Sequence, residues 1–130
     1  MTGVQTCALP ISPVSAIPRL LARNNLAFND IALWEIHEAF SAQVLCHIKG
    51  LEDKDFVRDK TGVEHTFGSF PRDRMNPNGG SVALGHPFAA TGARILSQAV
   101  KELAAKSKGA RAIVSVCADG GLGTVALLEN

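Results

Sequence analysis

Tyrosine is absent from this chain and tryptophan occurs once, at Trp34. That scarcity leaves no stacking platform for single-stranded nucleic acid. Charge of one sign is missing as well: 13 basic against 12 acidic residues give a net charge of +1. The basic residues do not cluster, so there is no electrostatic footprint for nucleic acid or an anionic membrane. The densest group, Lys101, Lys106, Lys108 and Arg111, reads as a solvated helix end, where cations suit the dipole. No apolar run reaches the roughly 20 residues of a membrane span. The 3 cysteines, Cys7, Cys46 and Cys117, lack disulfide or metal spacing, which points to a reducing, cytoplasmic setting, or a mitochondrial or peroxisomal one in a eukaryote. His37, Cys46, His47 and His65 match no standard zinc spacing, so no metal is expected.

What is present is enough for one domain with a sizeable core: 130 residues, 46% hydrophobic and 19% charged. The opening "MTGVQTCALPIS" lacks the basic n-region and the apolar length of a signal peptide. It resembles the translation of a sequencing-adapter oligonucleotide. Residues 1–12 are therefore expected to be a non-native scar, with the protein proper running from about Pro13.

From there, Ile17, Leu20 and Leu21 predict a helix that Asn24 and Asn25 end. "IALWEI" (31–36) predicts a buried strand. "HEAFSAQVLCHIKG" predicts a helix with Phe40, Val44 and Ile48 on one stripe and Gly50 closing it. Residues 51–73 read as a loop-rich insertion with a short helix near 52–59, and 74–87 as a glycine-rich loop. Pro87 suits a first helical turn, opening the longest helix, which packs through Ile95, Leu96, Ala99, Val100 and Leu103. Two strands, about 111–117 and 123–129, close the chain around a glycine turn, both apolar enough for central strands of a covered sheet. Helices and strands in this order indicate an α/β fold.

Chemistry concentrates in three places. His86 stands between a glycine-rich run and Pro87, which biases it toward extended backbone; the small residues at 89–93 leave room for a ligand. A surface turn histidine is the plain alternative. Cys117 ends an apolar strand before "ADGG", where free backbone N–H groups suit a developing negative charge. Read alone, such a cysteine is most often a small buried hydrophobe. His37 sits where a strand gives way to a helix, a corner rich in N–H donors. His47 and His65 have no such context and read as surface residues.

Taken in order, "IHEAFSAQ", "NPNGGSVALGHPFAATGARI" and "CADGGLGTVALLE" resemble the N-E-A-F, G-H-P and C-terminal cysteine motifs of the thiolase family, the 3-ketoacyl-CoA thiolases and acetyl-CoA acetyltransferases. The resemblance runs from about Pro13 to Glu129. It implies the family's C-terminal domain, an α/β fold whose mixed sheet is layered between helices. It implies acyl transfer in two steps, thiolytic cleavage of 3-ketoacyl-CoA by CoA or the reverse Claisen condensation. Coenzyme A is then a substrate, and no cofactor is implied. Cys117 becomes the acid/base at the α-carbon of acetyl-CoA. His86 activates a nucleophilic cysteine and helps hold the thioester oxygen. His37 holds an oxyanion-hole water, Phe40 borders the CoA arm, and the backbone at Asp119 and Gly120 forms part of a second oxyanion hole. The partners implied are acyl-CoA, CoA, an N-terminal thiolase domain and further copies in a homo-oligomer.

Two residues depart from the family pattern. His37 replaces the usual Asn, as in the branch resembling the β subunit of the fatty-acid trifunctional complex; neutral imidazole still donates one hydrogen bond, and the branch implies β-oxidation. Asp119 replaces a frequent glycine, bringing a carboxylate to the second oxyanion hole. The family's nucleophilic cysteine belongs to the N-terminal half, and mid-helix Cys46 has no glycine turn to replace it, so this piece alone is expected to be inactive. A ketoacyl synthase lacks the late cysteine that Cys117 represents. A non-catalytic acyl-CoA or lipid-binding relative often lacks the histidine or the cysteine, and both are here.

Overall fold

The computed structural model describes residues 12–118 and 121–130. The first twelve-residue helix, α1 (Ser12–Arg23), buries Val14, Ile17 and Leu21 at intervals of three and four, the spacing that brings side chains onto one helical face. Asn24 ends it by donating from Nδ2 to the Leu20 carbonyl at 2.8 Å, and Asn25 adopts φ 53°. A 3₁₀ turn over Phe28–Asp30 then leads into β1 (Leu33–Ile36), every residue of which is buried.

α2 (Ser41–Glu52) starts after Phe40 and runs past Gly50. The glycine was expected to close this helix; it packs it instead. A Cβ at Gly50 would lie 3.2 Å from Val14 Cγ1 and 3.3 Å from the Phe56 ring, so the bare backbone admits both of those side chains. Asp53 makes the break, its Oδ1 accepting from the N–H groups of Asp55 and Phe56 at 3.0 Å each to cap α3 (Lys54–Thr61). The short helix expected near 52–59 is thus α3, which runs on to Thr61. The rest of the stretch read as a loop-rich insertion sends Phe67 and Phe70 into an aromatic cluster with Phe28 and Trp34.

The sheet has the order β1-β2-β3, with β2 (Arg111–Ala118) parallel to β1 and antiparallel to β3 (Leu122–Glu129). Period-two alternation sorts its side chains between two cores. Trp34, Ile113 and Leu127 are in register and face α1–α3, while Leu33, Ala112 and Leu128 face the long helix α5 (Thr91–Ala104). Helices therefore cover both faces of a mixed sheet. β2 is the expected central strand. β3 is not: among the described residues it is the edge of the sheet, with Leu122 exposed and its other apolar residues half-buried.

Three further expectations yield to the structure. α5 buries Thr91, Ile95, Ala99 and Leu103, one residue in four. Leu96 and Val100 lie one residue round from that narrow stripe and face outward. Pro87 does not open this helix. A turn closed by the Ala90 N–H on the Pro87 carbonyl intervenes, with Ala89 at φ 64°, and α5 begins at Thr91. The basic group splits too: Arg111 starts β2 and pairs with Glu129 across the ladder at 2.6 Å.

Candidate functional site

Because β1 and β2 are parallel, both deliver their carboxyl ends to one edge of the sheet, where α/β proteins assemble their sites. His37 follows β1 directly and extends the pairing, its N–H donating to the Ser115 carbonyl at 2.8 Å. The residue is buried. Cys117 lies near the end of β2, partly buried and opposite Gly123 of β3.

The glycine-rich loop reaches this edge through a side chain. Asn76 brackets the last residue of β1: its Oδ1 accepts from the Ile36 N–H at 2.8 Å and its Nδ2 donates to the Ile36 carbonyl at 2.9 Å. Its own N–H donates to the Trp34 carbonyl at 2.8 Å. The loop then forms a four-residue helix, α4 (Ser81–Leu84), not foreseen from the sequence. Gly85 at φ 93° turns the chain out of it, and His86 follows.

His37 and His86 stack with ring centroids 4.2 Å apart, tilted by 41°. His37 Nδ1 is 2.9 Å from Ser81 Oγ, and His86 Nδ1 is 2.7 Å from Thr91 Oγ1. The Thr91 hydroxyl points to the Pro87 carbonyl at 3.4 Å, which leaves its oxygen to accept from His86 Nδ1–H. The outer nitrogen of His86 then carries the lone pair of a base. Burial lowers the pKa of His37, the neighbouring His86 and Arg94 push the same way, and Glu38 partly opposes them. One ring is therefore kept neutral beneath an exposed one.

A second titratable group lies two residues back along β1 from His37. Glu35 is 1% exposed and, opposite Val114, faces α5. Burial raises its pKa to about 7, Glu102 and Glu38 add to the rise, and Arg94 counters it. Sequence reasoning passed over this residue because "LWEI" reads as a plain apolar strand.

Of the other expected residues, Phe40 is half exposed at the start of α2, open to a ligand but off the buried stripe, because it precedes the helix. Asp119 and Gly120 lie outside the described residues, as does Cys7. His47 was expected at the surface and is buried, since its α2 face turns inward with Val44 and Ile48. His65 is exposed and packs its ring edge on Phe67. Cys46 is exposed at the middle of α2. Ser81, Thr91, Asn76 and Glu38 were all missed. Glu38 and Asn76 stood inside the quoted motifs, but no local pattern told that they meet. Among the described residues no group of three or more His, Cys, Asp or Glu side chains is gathered to hold a metal.

Comparison with known proteins gives a consistent result. The family model described as "Thiolase, C-terminal domain" matches residues 1–130. A 3-ketoacyl-CoA thiolase of Photorhabdus laumondii is 41% identical over 119 residues, 92% of this chain and 27% of the relative. Among solved structures, the peroxisomal 3-ketoacyl-CoA thiolase of Saccharomyces cerevisiae superposes with a TM-score of 0.67 at 32% identity, over 94% of this chain and 30% of that one. The Acat5 thiolase of Ascaris suum, solved in complex with coenzyme A, gives a TM-score of 0.69 at 32% identity, over 93% and 26%. The yeast enzyme is described as five-layered and built from two core domains of identical topology. The chain spans between a quarter and a third of the length of these proteins.

Proposed function

This chain belongs to the thiolase family, and from that premise we propose that it forms the C-terminal domain of an acyltransferase that cleaves 3-ketoacyl-CoA with CoA, or runs the reverse condensation. The observation that carries the reading is the histidine pair, 4.2 Å apart, at the strand edge to which β2 brings Cys117.

In the proposed reaction a cysteine thiol supplied from outside this chain gives its proton to the outer nitrogen of His86. The thiolate adds to the keto carbonyl of the substrate. The bond from that carbonyl to the α-carbon breaks, its electron pair passes to the α-carbon, and the Cys117 thiol protonates it to release acetyl-CoA. CoA then gives its thiol proton to the Cys117 thiolate and attacks the acyl-cysteine. The shortened acyl-CoA departs, and the freed cysteine recovers its proton from His86. Every bond and proton is accounted for without a cofactor.

His37 serves as the fixed donor. In this proposal Ser81, whose Oγ is 2.9 Å from Nδ1, is assigned the donor role, so the far nitrogen carries a hydrogen toward a water or the thioester oxygen, and the lowered pKa of the ring keeps it a single-proton donor. Backbone at Asp119 and Gly120 contributes the second oxyanion hole, and Phe40 flanks the CoA arm. The proposed setting is the cytoplasm, where free Cys46 and Cys117 persist, and the whole enzyme is a homo-oligomer.

The test is an acetoacetyl-CoA plus CoA assay. This chain alone should not turn over; joined to an N-terminal thiolase domain it should, and Cys117→Ala or His86→Ala should each lower kcat by at least about a hundredfold. Cysteine-dependent thiolysis by the isolated chain, or full activity in either variant, would overturn the proposal.

A further inference from the structure

Glu38 directly follows His37 in the chain, and both of its carboxylate oxygens are occupied. Oε1 accepts from Asn76 Nδ2 at 2.7 Å, and Oε2 accepts from the Val82 N–H at 3.1 Å. A Cβ on Gly80 would fall inside the same carboxylate. The glycine's backbone, at φ −104° and ψ −162°, is open to any residue, so the carboxylate, not the conformation, demands a glycine there.

Those contacts sit at the two ends of one short segment. Asn76 is anchored to β1 through both polar groups of Ile36. Val82 belongs to α4, whose first residue Ser81 meets His37 and whose end, through Gly85, delivers His86. A carboxylate holding the anchor by one oxygen and α4 by the other sets the distance between them. We infer that Glu38 is a positioning residue: its carboxylate, seated on Gly80 between Asn76 and Val82, holds the loop that brings His86 and Ser81 onto His37. The inference rests on the proposed roles of the histidines only for its consequence in catalysis; the geometry it claims is separate.

No neutral isostere can fill this place. Glutamine at 38 keeps the volume but presents an NH₂ group to either the Asn76 amide hydrogens or the Val82 N–H, so one of two donors loses its acceptor. Flipping Asn76 does not help, because its oxygen is needed by the Ile36 N–H. Alanine at 80 displaces the carboxylate from the other side while leaving its charge in the protein.

The experiment is NMR of the 130-residue chain with labelled histidines, reading the cross-relaxation between the His37 and His86 rings. Contact at 4.2 Å gives a strong signal in the native chain. Glu38→Gln and Gly80→Ala should each weaken it several-fold, with the spectrum otherwise that of the folded chain. Adding Gly80→Ala to Glu38→Ala should change nothing further, since the carboxylate it displaces is gone. Glu38→Asp should recover part of the signal. If Glu38→Ala does not fold, the Gly80→Ala chain still decides the matter. Full ring contact in both Glu38→Gln and Gly80→Ala overturns the inference, as does an undiminished effect of Gly80→Ala on top of Glu38→Ala. Activity plays no part in this readout. A lost ring contact with unchanged thiolysis in the assembled enzyme would instead count against the roles proposed for the histidines.

Discussion

Replacing Glu35 with glutamine should change how stability depends on pH. In the unfolded chain the carboxyl titrates near 4.5; in the fold it titrates at about 7. Between those values the native state holds a proton that the unfolded state has released, so stability falls as pH rises through the window. Below 4.5 both states are protonated and the penalty vanishes; above 7 it is complete. The full difference corresponds to about 3 kcal/mol, and screening within the site leaves about 1–3 kcal/mol. Glu35→Gln removes the titration and keeps the shape. Its amide is also desolvated, at a cost independent of pH, so the quantity to read is the change in ΔΔG between pH 4.5 and 8. Urea unfolding followed by Trp34, the only tryptophan, measures it at each pH. The variant should gain about 1–3 kcal/mol relative to the parent on going from pH 4.5 to 8, with the urea slope unchanged. His37, whose pKa is lowered, contributes with the opposite sign, but the charges acting on it are those of His86, Glu38 and Arg94, so it cancels in the difference. A flat difference across the range would mean that Arg94, which lines the same layer without a hydrogen-bond acceptor, already neutralises the carboxylate, and the reasoning would fail.

Two other outcomes follow from the same structure. The His37 ring should titrate below 6.5 in a histidine NMR titration, and stability should fall as pH drops from 6.5 through the folded value, because the unfolded chain takes up a proton the native ring refuses; a midpoint at or above 6.5 refutes the burial argument. Asp53→Ala should cost about 1 kcal/mol in urea unfolding, since it strips the acceptor from two N–H groups at the start of α3, whereas Asp53→Asn should recover most of it.

Several elements were legible because their causes are local. α1 follows from apolar residues three and four apart, and β1 and β2 from short β-rich runs. The order of the three motifs pointed to the thiolase C-terminal domain before any coordinate. The errors share a different origin. Gly50 reads as a helix end until Val14 and Phe56 are seen to need its bare backbone. Leu96 and Val100 look like core until α5 turns out to bury only one residue in four. His47 looks solvated until α2 turns that side inward.

What the sequence by itself determined, then, is the kind of element at most positions and the family to which the chain belongs, since propensity, capping, periodicity and motif order are all written along the chain. Only the tertiary structure decided which residues meet. His37 and Ser81 stand 44 positions apart, and Glu38 reaches Asn76 across 38. No spacing rule reaches that far, because such contacts arise from a parallel strand pair and a loop folded back over its edge. The same holds for the pKa of Glu35, which is ordinary in the chain and high in the fold because burial in the sheet strips water from its carboxylate.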